Sequence, residues 1–157
     1  MITLAEEQSN DIKIIVFQLG NEEYGIPVHQ VRSIEKMQHI TRVPGTKEFI
    51  TGVMNLRGVV TPIIDLRSRF GIQEKPDDDA TRIIIVSLEK MEAGFIVDAA
   101  NDVLDLKADS FEPPPEVVGT LKAEYIDGVV KEGKRLLVML NIESVLREKA
   151  IPGLQGA

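Results

Sequence analysis

Short apolar runs rich in β-branched residues alternate with polar breaks along most of this chain, which predicts strands rather than long helices. The clearest passage is residues 49–70, where two apolar runs (49–54 and 59–64) flank the polar break Asn-Leu-Arg-Gly at 55–58. Two strand-like runs joined by turn-forming residues predict a β-hairpin. Its tip displays one charged side chain, Arg57.

The second run of this hairpin leads into a short predicted helix. Asp65 is a residue type favoured at the N-cap, and Gly71 is favoured just beyond a C-terminus, where the backbone often adopts a positive φ. We therefore expect a helix over residues 66–70. A second helix is expected after Asn141, which is also an N-cap type and precedes apolar residues at 142, 145 and 146.

The rest of the chain shows the same alternation of short strands and breaks. Val28, Val31 and Ile34 recur at a spacing of three after Pro27, which predicts a short helix there. Residues 1–11 are expected to form a flexible N-terminus and residues 149–157 a C-terminal tail. Further strands are predicted over residues 12–19, 23–26, 40–43, 83–88, 92–97, 103–106, 125–130 and 136–140, with a polar linker at 72–80 and a proline-rich extended connection at 111–115.

The second half of the chain repeats the first. Apolar, glycine and glutamate positions of residues 14–34 recur at 83–103, displaced by 69 positions (83 − 14). Those of residues 49–68 recur at 125–144, displaced by 76 positions (125 − 49). A repeat of short strands without long helices is typical of small barrels and sandwiches.

We therefore predict a mainly β fold with two similar β-barrels of about five short strands each, packed together with short helices. The two copies span roughly residues 12–75 and 80–148. Exchange of strands between the two barrels is left open by the sequence.

The hairpin tip is a part of the first copy whose sequence the second copy does not repeat. The break at 55–58 corresponds to Lys-Glu-Gly-Lys at 131–134. Folding therefore does not require Asn-Leu-Arg-Gly at this turn, which makes Arg57 a candidate recognition residue.

The net charge of the chain limits the kinds of partner that we expect it to bind. The net charge of −7 and the isoelectric point near 4.9 disfavour nucleic acid or an anionic membrane, because both require a concentrated basic face. A protein partner is expected instead. The chain has neither a basic and apolar leader nor a run of about 18 apolar residues, so we expect a cytoplasmic protein without membrane insertion.

No motif for a cofactor or a metal is present in the sequence. The absence of cysteine excludes disulfides and thiolate chemistry. His29 and His39 are too isolated for a zinc site, and the acidic run at 77–79 lacks the alternating ligands and glycine of a calcium loop. We expect no metal, no cofactor and no catalytic residues.

The ordered motifs resemble the CheW family, the coupling proteins of bacterial chemotaxis. The resemblance covers about residues 12–148, and only the combination of motifs is specific. It rests on Phe17-x-Leu19-Gly20, Glu23-Tyr24-Gly25-Ile26, Val31, Phe49-Ile50-x-Gly52-Val53, Asn55-Leu56-Arg57-Gly58, Pro62-Ile63-Ile64-Asp65-Leu66, Phe70-Gly71 and Tyr125-x-x-Gly128.

The resemblance implies two SH3-like five-stranded β-barrels and a scaffold with no active site. Proteins of this family bind the regulatory domain of the histidine kinase CheA and the cytoplasmic tip of methyl-accepting chemotaxis receptors. They join the two in arrays at the inner face of the membrane.

By motif, the resemblance also places a partner-binding face on Arg57 with Asn55, Leu56, Gly52 and Val31. Many relatives carry an acidic residue two positions after that valine, where this chain has Ser33. An ion pair with Arg57 then requires Glu35 to supply the charge. Gly52 also has a structural interpretation, which it shares with Gly25 and Gly128: all three are typical of bends or close strand approaches.

Two other functions compete with a stand-alone coupling protein. One is a small-barrel hydrolase using Asp65 and Asp98, but Asp65 is explained as a helix cap and its counterpart Asn141 cannot do acid–base chemistry. The other is a CheW-like module of a related two-component or chemosensory pathway, within the kinase itself or joined to a receiver. The short remainder of the chain after the second copy favours the stand-alone protein.

Overall fold

The structure is a computed structural model that describes residues 11–45, 50–73, 75–89, 91–113, 117–118 and 121–146. The expected C-terminal tail, the first ten residues of the expected N-terminus, Phe49 and the prolines 114 and 115 lie outside these ranges. Asp11, expected to be flexible, is instead the first residue of a strand.

Strands account for most of the described residues, which confirms the mainly β prediction. Two short α-helices are present among them, α1 (Leu66–Phe70) and α2 (Ile142–Leu146). The strands are β1 (Asp11–Leu19), β2 (Glu22–Pro27), β3 (Val31–Lys36), β4 (Ile50–Leu56), β5 (Val59–Asp65), β6 (Arg82–Leu88), β7 (Met91–Val97), β8 (Ala99–Lys107), β9 (Phe111–Glu112), β10 (Val117–Val118), β11 (Leu121–Lys122), β12 (Ile126–Glu132) and β13 (Arg135–Leu140).

Eleven of these strands form two sheets. Sheet A has the order β8-β1-β2-β13-β12-β9, sheet B has the order β3-β6-β7-β5-β4, and β10 pairs with β11 alone. Each sheet combines strands from both copies of the sequence repeat. The hairpin β1–β2 lies in the sheet of β12 and β13, and the hairpin β6–β7 lies in the sheet of β4 and β5.

Both faces of each sheet are apolar, because the strands carry β-branched residues at consecutive positions. In β6, Ile84 and Val86 face a central cluster that both sheets and both helices share, whereas Ile83 and Ile85 face a smaller cluster confined to sheet B. A matching cluster in sheet A is built around Ile14. The fold is thus three apolar layers separated by two sheets.

The sequence-predicted caps are confirmed. The Asp65 side chain accepts a hydrogen bond from the Arg67 amide (3.0 Å), and Gly71 adopts φ = 74° at the C-terminal end of α1. At the second helix, the Asn141 side chain accepts a hydrogen bond from the Ser144 amide (3.0 Å). Each cap satisfies an amide that the short helix leaves without an internal partner.

Two of the predicted secondary-structure elements are wrong. The expected helix over residues 28–34 is a single 3₁₀ turn, Val28–Gln30, followed by β3, because the β6 backbone pairs with residues 31–36. The expected strand over 40–43 is only an isolated bridge between Thr41 and Val53. The strands of the hairpins 12–26, 50–64 and 83–97, and those near 103–106, 125–130 and 136–140, are confirmed.

Candidate functional site

The candidate site is built on the two-residue turn between β4 and β5. Leu56 pairs with Val59, and the central residues Arg57 and Gly58 have φ values of 52° and 86°. Positive φ at both positions is the signature of a type I′ turn, which suits the twist of a hairpin. Glycine adopts this conformation freely, but in arginine it crowds Cβ against the backbone.

The Asn55 side chain stabilises this turn through a hydrogen bond within it. Its Oδ1 accepts a hydrogen bond from the Gly58 amide at 2.8 Å, although both residues are exposed. The side chain therefore substitutes for a backbone acceptor and fixes the direction in which Arg57 points.

Arg57 forms an ion pair with an acidic residue on the other edge strand of sheet B. Its Nη2 lies 3.4 Å from Oε2 of Glu35, and the two side chains are 72% and 16% exposed. Glu35 is in β3 and Arg57 follows β4, and these strands are the two edges of sheet B. Glu35 thus supplies the charge that Ser33 lacks, and the ion pair joins the edges of the sheet.

Ser33 and Leu56 lie beside this ion pair. The Ser33 hydroxyl oxygen is buried and has no hydrogen-bond partner within the described residues. Leu56 is half-buried and packs against the apolar cluster of sheet B. The structure therefore gathers Arg57, Asn55, Leu56, Ser33 and Glu35 at one end of this sheet.

Val31 and Gly52 have surroundings that differ from this group. Val31 begins β3 and packs against the central apolar cluster. Gly52 is buried beneath the Thr41 backbone, and a Cβ at this position would lie 2.2 Å from the Thr41 carbonyl oxygen. The same kind of close approach occurs at Gly128, where the nearest atom is the Glu112 carbonyl oxygen at 2.6 Å. The structure thus gives Gly52 a packing role.

A depression of about 760 Å³ opens beside Arg57. Val59 and Val60 on its rim are 55% and 69% exposed, which is high for valine in a strand. The other lining residues are Arg32, Ser33, Leu56, Ile85 and Glu92. A depression that combines exposed apolar side chains with charged ones is typical of a protein-binding site.

Sequence reasoning missed Val59, Val60 and Glu92 as parts of this surface. The repeat contained a clue, because Val59 corresponds to Arg135 in the second copy. An exposed valine where the other copy has arginine marks a position at which the two ends of the molecule differ.

Asp65 and Asp98, the residues considered for catalysis, are held in structural interactions. Asp98 accepts hydrogen bonds from Arg67 Nε (2.8 Å) and from the Gly20 amide (2.7 Å). Burial raises the pKa of Asp98, but hydrogen bonds from Arg67 and Gly20 outweigh it and hold the pKa below its usual range. This carboxylate therefore ties the β1–β2 turn of sheet A to α1, and Asp65 caps that helix.

In the part of the chain that the structure describes, no group of three or more histidine or acidic residues is placed to hold a metal ion. Among the described helices, none has the length and apolar character of a membrane span.

Comparison with known proteins identifies the family. The model of the CheW-like domain matches residues 13–150. The chain is 46% identical over 138 residues to the chemotaxis protein CheW of Bacillus subtilis, covering 88% of each protein. It is 42% identical over 134 residues to CheW of Klebsiella aerogenes, covering 85% of this chain and 81% of that one.

A solved structure agrees with these matches. The scaffolding protein TtCheW from Thermoanaerobacter tengcongensis superposes with a TM-score of 0.83 at 36% identity, covering 88% of this chain and 94% of that one. The chain therefore belongs to the CheW-like domain family.

Proposed function

We propose that this protein is a non-catalytic scaffold of bacterial chemotaxis that couples methyl-accepting receptors to the histidine kinase CheA. The observation that carries the proposal is the match of the CheW-like domain model to residues 13–150, which is nearly the whole chain. Relatives that bear the name CheW, and a structural neighbour described as a scaffolding protein, support the same function.

The chemistry of the candidate site agrees with a scaffold. Its charged residues are two arginines and two glutamates that pair with each other, Arg57 with Glu35 and Arg32 with Glu92. Both arginines are mostly exposed, so they can exchange these loose contacts for contacts with another protein. The proposed partners are the regulatory domain of CheA and the cytoplasmic tip of the receptor, and the proposed location is the cytoplasmic face of receptor arrays.

The proposed partner-binding face consists of the turn and the strand opposite it. Arg57 is its central contact, because an arginine can satisfy several acceptors of a partner at once. Asn55 and Glu35 hold it in position. Gly52 is included because it allows the Thr41 backbone to approach β4 closely. Val31 is included because it packs the edge strand β3 against the central cluster. The remaining members are Leu56 and Ser33.

We also propose that each sheet closes as an SH3-like barrel around its own apolar cluster, within a CheW-like domain of residues 12–148. The ion pair between Glu35 and Arg57 supports this for sheet B, because it joins the two edge strands. The membership of the sheets supports exchange of the hairpins β1–β2 and β6–β7 between the two barrels.

Charge reversal at the turn tests the function. We expect Arg57→Glu to retain the wild-type circular dichroism spectrum and to weaken capture of the CheA regulatory domain or of a receptor-tip fragment by roughly tenfold or more. Lys134→Glu is the matched control, because it reverses a charge in the equivalent turn between β12 and β13. Equal capture of both probes by wild type and Arg57→Glu would remove Arg57 from the face.

A further inference from the structure

The two sheets end differently at equivalent places. The turn between β4 and β5 and the turn between β12 and β13 have the same register, with Leu56 opposite Val59 and Glu132 opposite Arg135. The parallel pairings of β5 with β7 and of β13 with β2 also correspond. One end can therefore be compared with the other residue by residue.

In sheet A this end is closed by an arginine. Nε and Nη2 of Arg135 each lie 3.0 Å from one carboxylate oxygen of Glu23, which is the paired geometry of a guanidinium with a carboxylate. Nη1 of the same residue lies 3.5 Å from Asp102. One side chain thus neutralises two acidic residues from two other strands.

In sheet B the equivalent positions are Val59, Glu92 and Ser33. Glu92 corresponds to Glu23, but Val59 stands where sheet A has Arg135. Ser33 stands where sheet A has Asp102. Glu92 contacts Arg32 through one Nη1–Oε2 approach of 3.5 Å, and Arg32 is 64% exposed. The Ser33 hydroxyl oxygen is buried without a partner in the described part of the protein. We call these three positions the open end of sheet B.

We propose that the open end of sheet B receives an arginine side chain from the protein partner, placed as Arg135 is placed in sheet A. Its guanidinium would donate to the Glu92 carboxylate and to the Ser33 hydroxyl oxygen, with its aliphatic part against Val59. The inference rests on the proposed function, since it specifies the chemistry of the partner at that site.

An apolar side chain fits this end less well than a basic one. It would cover a carboxylate and a buried hydroxyl without supplying a hydrogen-bond donor to either, which is unfavourable. Glu35 pairs with Arg57, so the charge of Arg57 is already balanced, whereas Glu92 has one contact of 3.5 Å with the mostly exposed Arg32 and can exchange it. The depression of about 760 Å³ leaves space for a long side chain.

Two substitutions test the inference, with dissociation constants measured for the CheA regulatory domain and for a receptor-tip fragment. Val59→Arg supplies the guanidinium from within the chain, so we expect binding of at least one probe to weaken roughly tenfold or more. Glu92→Gln removes the charge that the partner arginine contacts, so the same probe should bind more weakly by a similar factor. Leu136→Arg adds the same charge at the end of sheet A and should leave binding unchanged.

Thermal unfolding of each variant checks that binding is lost without loss of the fold. If Val59→Arg weakens binding and Glu92→Gln does not, the occupant is apolar and the inference is wrong. If neither weakens binding, the open end is outside the interface, and the proposed function still stands where Arg57→Glu reduces capture. If wild type binds neither probe, the proposed function is rejected together with the inference.

Discussion

Arg57 occupies a backbone position that suits asparagine or glycine better than arginine. Its φ of 52° lies in the left-handed region, and the residue after it is glycine at φ = 86°. An unfavourable conformation that is kept at an exposed turn indicates that the side chain serves something other than folding. The lack of an equivalent arginine in the second copy led to the same hypothesis from the sequence.

The cost of this conformation can be measured by a substitution. Arg57→Asn creates Asn-Gly, the preferred pair for a type I′ turn, and removes an ion pair that contributes little because its arginine is 72% exposed. We expect the free energy of unfolding in urea to equal that of wild type or to exceed it by up to about 1 kcal/mol. A clear loss of stability would show that Arg57 is needed for the fold.

At the scale of elements, the sequence predicted what depends on local chemistry. The runs 12–19 and 83–88 became strands, and Asp65 and Asn141 became caps, because β-branched residues and side-chain acceptors act over a few positions. Residues 28–34 were misassigned because Ile34 is apolar but 42% exposed, so its spacing imitated a helix face. β3 pairs with β6, which is distant from it in the sequence, so no local pattern predicts this pairing.

The candidate site shows the same division. The turn and Arg57 could be predicted, because the break at 55–58 is local. The sequence showed that an ion pair with Arg57 would need Glu35, but it did not show that this pair forms. The depression lined by Val59 and Glu92 was not predicted. Its walls come from five strands that meet only when sheet B has assembled.

The backbone at Thr41 lies directly over Gly52 in β4, and a substitution can test this close contact. Thr41 and Val53 exchange two backbone hydrogen bonds of 2.8 Å, and this pairing requires the absence of a side chain at residue 52. Gly52→Ala should therefore lower the free energy of unfolding by roughly 1–3 kcal/mol. Gly128→Ala should do the same in the second copy. An unchanged urea midpoint in Gly52→Ala would contradict the close approach.

At the scale of the whole molecule, the two sheets are held together by the shared central cluster and by a polar contact at its edge. An aromatic row of Phe17, Tyr24, Phe70 and Tyr125 runs through the cluster with ring centroids 5.4–6.1 Å apart. The ion pair of Arg67 with Asp98 joins α1 to the end of β7, and the side chains are only 12% and 14% exposed. Opposite charges with so little solvent contact interact strongly.

This ion pair makes stability depend on pH. Because the pKa of Asp98 is lower in the folded protein than in the unfolded chain, its contribution is present above about pH 4 and is lost as the pH falls through the folded pKa. Asp98→Asn should lower the free energy of unfolding at pH 7 by roughly 2 kcal/mol or more, since Arg67 loses its charged partner.

The same variant should also show a smaller loss of stability than wild type when the pH is lowered from 5 to 3. Urea unfolding at several pH values measures both effects. Parallel pH profiles for wild type and Asp98→Asn would show that another carboxylate is responsible for the acid dependence.

We propose that this chain is a scaffold whose Arg57 turn contacts a chemotaxis partner. Reconstitution of receptor, CheA and this protein, with kinase phosphorylation as the readout, tests both parts of this proposal together. We expect wild type to change kinase activity and to make it respond to receptor ligand, Lys134→Glu to behave as wild type, and Arg57→Glu to lose most of the effect. Kinase activity that is the same with and without the wild-type protein would rule out the scaffold function.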